Sequence, residues 1–184
     1  MELTKKERIL IYIGVVVIFL LATLSHNLYK WTNYNDFIGI FTPTNESIFQ
    51  HLKIIIYPTI FYYLIAYLIF NNKYEIVANK WFLCALITIV LTSLVVIGMY
   101  YTFHYGFEIE SMIIDIMSLV IGLAISSLIC AHIYRFKENI KLSYIASLIL
   151  IIFIAITTSY YDVNPSHVDL FYDHQNHTYE RVTE

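Results

Sequence analysis

Five long runs, each nearly free of charge and followed by a short polar stretch, set the rhythm of this chain. They cover residues 9–24, 54–70, 81–101, 113–134 and 142–160. Each run is apolar all round, with neither the one-sided stripe of a soluble surface helix nor the alternation of a barrel strand. A helix needs about 20 residues to cross the roughly 30 Å hydrocarbon core. The first two runs reach that length through uncharged flanks. The pattern therefore predicts an all-α integral membrane bundle of five transmembrane helices. They are expected over about 9–25, 48–70, 81–101, 113–134 and 142–160, with a tail over 161–184. Five spans occupy most of the 184 residues, so the chain reads as a single transmembrane domain.

Composition agrees with that picture. The chain is 59% hydrophobic and 14% charged, against about 25% charged in soluble domains. Lys5, Lys6 and Arg8 precede the first run as in a signal peptide, but "LLATLSHNLYKW" offers a poor cleavage site, so that run reads as an uncleaved anchor. Cys84 and Cys130 fall inside spans and imply no disulfide framework. A net charge of −3 argues against a nucleic-acid partner. With no P-loop, no Rossmann glycine pattern and only five glycines, a nucleotide partner is not expected.

Charge then sets an expected orientation. Lys5, Lys6, Arg8, Lys73, Lys80, Arg135, Lys137 and Lys141 fall on one side, and Lys30, Lys53 and Arg181 on the other. The positive-inside rule puts the first set, and the N-terminus, in the cytoplasm and the tail outside. Nine of fourteen carboxylates then lie outside: Asp36, Glu46, Glu108, Glu110, Asp162, Asp169, Asp173, Glu180 and Glu184. Six of seven histidines join them. The expected compartment is a plasma membrane, and abundant Ile, Asn, Lys and Tyr fit an AT-rich bacterial genome.

Small residues indicate how the spans pack. Ser111, Asp115, Ser118, Gly122, Ser126 and Cys130 recur at steps of three or four along one face of the fourth span. Cys84, Thr88 and Thr92 do the same in the third. Such faces let helix backbones approach closely in lipid. Pro58 is expected to kink the second span and open a cavity. "YYTFHYGF" (100–107), Trp31 and Trp81 are expected as interfacial anchors.

The reactive side chains gather in "TPTNESIFQHLK" (42–53), leading into the second span. Thr42 with Pro43 resembles a helix start, and Thr44 or Asn45 would cap a slightly later one. Glu46 would then occupy the first turn, where the helix dipole favours negative charge. Glu46 and His51 are five apart and diverge on such a helix, so a ligand set needs other segments. His26, His104 and Asp115, with Asp169, Asp173, His174 and His177 of the tail, offer it. Zinc or another divalent metal held by imidazole and carboxylate would lower the pKa of its water to about 7. The expected metal ligands are His26, His51 and His104, and the expected catalytic groups Glu46, His51 and Asp115. An ionisable residue within a span, as Asp115 is, is by default a functional candidate. No HExxH is present, "HQNH" is a lone HxxH, and no elbow motif surrounds Ser47.

"SHNLYKW" (25–31) followed by "PTNESIFQHLK" (43–53) resembles a family of small multi-pass bacterial membrane proteins with no assigned function. Its motif is P-x-N-E-S-x-aromatic-Glu-His-Leu-Lys after His-x-x-Tyr-x-Trp. In the tail, Leu170, Phe171, Asp173 and Tyr179 resemble the family pattern more loosely, while Asn164, Asp169 and His174 stand where proline is expected. Gln50 replaces the acid usual before the histidine. The resemblance implies a signature of His26, Tyr29, Trp31, Asn45, Glu46, Ser47, His51 and Lys53, the non-catalytic members being binding residues.

Three functional readings follow. One is a membrane-embedded, metal-dependent hydrolase or transferase at the outer leaflet, acting on a lipid-type substrate. The second is a non-catalytic component binding a lipid, a peptide or a membrane-protein partner. The third is a small transporter with Asp115 and the Pro58 kink on its path, against which the lack of an internal repeat speaks.

Overall fold

A computed structural model describes residues 5–135 and 141–183. Lys137 of the cationic set, and Glu2, Glu138 and Glu184 among the acids, lie outside the described residues. Among the described residues six α-helices form, in chain order α1 (Lys5–Trp31), α2 (Asp36–Gly39), α3 (Ile48–Tyr74), α4 (Ala78–Tyr101), α5 (Met112–Ile133) and α6 (Lys141–Val163). A π-helical turn, Thr102–Gly106, extends α4, and a 3₁₀ turn, Asp169–Phe171, lies in the tail. Five of the helices are long and apolar enough to cross a membrane. The fold is an all-α helical bundle of the multi-pass membrane kind.

The helices overrun the apolar runs because hydropathy marks the lipid contact, while hydrogen bonding continues into the polar flanks. α1 carries on through Ser25, His26 and Asn27 to Trp31. α3 ends where Glu75 turns left-handed (φ 52°) and its N–H reaches the Asn71 carbonyl. The helix runs unbroken through Pro58. Thr42, Pro43, Thr44 and Asn45 do not start α3. Ser47 is its cap, with extended backbone and its Oγ accepting from the Gln50 N–H at 3.3 Å. Glu46 therefore precedes the helix instead of joining its first turn.

The closest pairing is between α4 and α5, along the two small-residue faces. Ser118, Gly122, Ser126 and Cys130 of α5 are buried, as are Cys84, Thr88 and Thr92 of α4. Thr92 and Ser126 hydroxyls meet at 3.2 Å, and the Cys130 thiol donates to the Cys84 carbonyl at 3.6 Å. In lipid, where apolar burial between helices gains little, such packing and polar contact hold the pair. Trp81 is no interfacial anchor. It is fully buried, its indole N–H donating to the Tyr63 carbonyl at 2.8 Å, because the indole N–H needs a partner away from water. Trp31 is 63% exposed. The outward faces of α5 and α6, with Met112, Ile113, Leu128, Ile149, Phe153 and Ile156 exposed, suit a lipid bilayer.

The tail is ordered against the helix ends on one side of the bundle. Asp173 and Thr178 pair their backbones as an isolated antiparallel bridge. Phe171 is buried and stacks on Phe49 with ring centres 4.3 Å apart. The Val182 N–H donates to the Thr44 carbonyl at 2.9 Å, so the tail lies along the segment preceding α3.

Candidate metal centre

α3 brings His51 to the site one turn after its cap. The Ser47 carbonyl accepts from the His51 backbone N–H at 3.1 Å and stands 2.9 Å from its ring Nδ1. A proton on Nδ1 satisfies that contact and leaves the Nε2 lone pair free to ligate, as a carbonyl behind a metal-binding imidazole does. From the last turns of α1, His26 presents its own Nε2, 3.2 Å from that of His51. Glu46, freed from the helix by the late cap, completes the group. Its Oε2 lies 3.5 Å from His51 Nε2 and 3.7 Å from His26 Nε2.

These three ligand atoms form a triangle with edges of 3.2, 3.5 and 3.7 Å. Metal–ligand bonds of about 2.0–2.2 Å at tetrahedral angles give edges of about 3.3–3.6 Å. The triangle thus has the size of one face of a metal coordination sphere. Side-chain exposures of 34% for His26, 30% for His51 and 23% for Glu46 keep the group accessible from outside the bundle. Asp115 is exposed in the first turn of α5.

His104 does not belong to this triangle. The π-helical turn folds its ring onto Tyr100 at 4.9 Å, and its Nδ1 lies 3.5 Å from Glu110. The ring faces His174 of the tail at 5.7 Å. Asp169 anchors this neighbouring group, accepting from Tyr101 at 3.0 Å and Tyr105 at 2.8 Å, with His174 Nε2 at 3.0 Å. Burial alone would raise its pKa, but those three contacts outweigh it and hold the carboxyl below its ordinary range.

The remaining signature residues build the frame. Lys53 is completely buried and donates to the Gly39 carbonyl, to Gln50 Oε1 at 2.8 Å and to Asp162 Oδ1 at 2.6 Å. All three ammonium protons are engaged, so Lys53 has none left for a ligand. Asp162 also accepts from Gln50 Nε2 at 2.9 Å and from Arg181 on its other oxygen. Arg181 continues to Asp36 at 2.6 Å. Its own burial works against the charge, yet the two carboxylates hold its pKa above the usual value. Asn45 accepts from the Ser47 N–H at 2.9 Å and donates to the Glu180 carbonyl at 3.0 Å. Tyr29 is buried edge-on to Tyr34, 5.4 Å between ring centres. Of the expected binding residues only Trp31 is left on the surface.

Sequence reasoning missed Asp162, Gln50 and Arg181 as Lys53's circuit. The signal was present: a lysine beside an apolar run needs an acid at its own depth, and "SYYDV" (159–163) supplies one at the end of the last span. It also missed that Glu46 and His51 converge, since it placed both on one helix.

A family model described as "Family of unknown function (DUF6512)" matches residues 1–180 of the chain. No curated protein and no solved structure matches it.

Proposed function

The chain belongs to that family of unknown function, and from the geometry of its site we propose a membrane-embedded, metal-dependent hydrolase or transferase acting on a lipid-type substrate. His26, His51 and Glu46 would hold zinc or another divalent cation, and Asp115, three residues into α5, would accept a proton from the reacting water. The observation that carries this reading is the 3.2, 3.5 and 3.7 Å triangle of ligand atoms. Two imidazoles and one carboxylate make a three-ligand set of the catalytic rather than the closed structural type. What a metal contributes at such a site is Lewis acidity and a water acidified to about 7.

Depth supports the substrate class. His51 and Asp115 each lie three residues inside the start of their helices, and His26 five before the end of α1. At 1.5 Å per residue the group sits about 5–8 Å below the helix ends. α5, with 22 residues, runs about 33 Å, close to the hydrocarbon thickness. A site at that depth would meet a lipid near the junction of its acyl chains and headgroup, the level of its ester bonds. The excess of cationic residues at the opposite end favours an extracytoplasmic site, in a bacterial plasma membrane.

Elemental analysis of purified wild-type protein is expected to find about one equivalent of a divalent metal, and His51→Ala to lose it. In vesicles of ester- and phosphoester-bearing lipids, Asp115→Asn should keep the metal and lose turnover detected by lipid mass spectrometry. Wild-type protein that takes up no divalent metal from a metal-supplemented buffer would overturn the reading.

A further inference from the structure

Glu46 reaches the two histidines only because α3 starts late, and the reason it starts late lies in the tail. Five residues along an α-helix rotate a side chain by about 140°. Were α3 capped at Thr44 or Asn45, Glu46 would point away from His51. The segment offers four possible caps in six positions, Thr42, Thr44, Asn45 and Ser47, so local preference does not choose among them.

Contacts from the tail make the choice. Asp173 is fully buried, and each of its oxygens accepts twice. Oδ1 takes the backbone N–H groups of Gln175 and Asn176, both at 2.9 Å. Oδ2 takes the Asn176 side-chain amide and the Glu46 backbone N–H, both at 2.8 Å. The first pair folds the 173–178 loop around the carboxylate. The second aims the remaining lone pairs at the residue just before the α3 cap, where the positive end of the helix favours an anion. Asp173 thus occupies the electrostatic place a first-turn glutamate would fill, and Glu46 keeps its own carboxylate for the histidines.

We infer that Asp173 is a positioning residue for the metal centre: its carboxylate clamps the Glu46 backbone amide and so fixes the point from which the Glu46 side chain completes the triangle. This rests on the metal reading above and adds that the ligand set is assembled by the tail. Groups that support a ligand without touching the metal typically govern affinity by 10- to 100-fold.

Cobalt(II) titration of the full-length purified protein tests it. Asp173→Asn leaves one acceptor oxygen where two served four donors, and should weaken cobalt binding by about 10- to 100-fold. Asp169→Asn loosens the tail at another of its anchors without touching Glu46, and should shift the affinity by less than about threefold. In a Glu46→Gln background, Asp173→Asn should weaken binding no further, because the clamp acts through Glu46. An equal loss from Asp173→Asn in both backgrounds, or wild-type affinity in the single variant, would overturn the inference while leaving the metal centre intact. Wild-type protein that binds no cobalt overturns both. Should Asp173→Asn not fold, amide exchange in the wild type decides. A protected Glu46 N–H supports the clamp, and exchange at the rate of a free peptide overturns it.

Discussion

Lys53→Met is expected to destabilise the protein by about 3–5 kcal/mol, the usual cost of removing one member of a buried ion pair. Its ammonium is inaccessible to solvent and binds Asp162 at 2.6 Å, with Gln50 and the Gly39 carbonyl as its other acceptors. Methionine fills the volume and supplies no donor. Asp162 keeps Arg181, Gln50 and Thr44 but loses its fully buried countercharge. The Gly39 carbonyl loses its lysine donor outright. Asp162→Asn in the same background removes a buried charge left with one cation where it had two, and should recover part of the loss. Unfolding in detergent–denaturant mixtures measures all three proteins. A Lys53→Met variant as stable as wild type would remove the network from the account.

Gly122→Ala is the second large effect, and Gly98→Ala is its matched control. A Cβ built on Gly122 falls 2.8 Å from Thr92 Cγ2 and 2.9 Å from Thr92 Cα. The side-chain atom can rotate away; the backbone atom cannot. α4 and α5 must separate, which also strains the 3.2 Å Thr92–Ser126 contact. Overpacking of this kind costs about 1–3 kcal/mol. Gly98, on the same pair of helices, has open space around its Cβ position. Alanine there should be neutral or stabilising by up to about 1 kcal/mol, from helix propensity alone. Thermal unfolding in one detergent compares them, and equal effects of the two substitutions would contradict close α4–α5 packing.

Those two sites also show what the amino-acid pattern could and could not reveal. The small-residue step from Ser118 to Cys130 is written in the sequence, because helix periodicity alone brings those positions to one face. The five spans were legible because long runs nearly free of charge have few alternatives to crossing a bilayer. The candidate site was legible only as an inventory. His26, Glu46, His51 and Asp115 could be named, but whether Glu46 meets His51 depends on where α3 begins. That is decided by residues more than a hundred positions away, through Asp173 on the Glu46 amide, Glu180 on Asn45 and Val182 on Thr44. His104 illustrates the converse. The sequence sets it among interfacial aromatics and offers it as a metal ligand, and the π-helical turn Thr102–Gly106 carries the ring to Tyr100 and Glu110 instead.

The proposed metal ion is held by three side chains, from α1, α3 and the loop before α3. Visible absorption of the cobalt(II)-loaded protein tests it most directly, since low-coordinate cobalt gives intense d–d bands and octahedral cobalt weak ones. Intense bands saturating at about one equivalent are expected, abolished by His26→Ala and by His51→Ala, and weakened and shifted by Glu46→Gln. A weak octahedral spectrum, identical in the wild type and in both histidine variants, would contradict it.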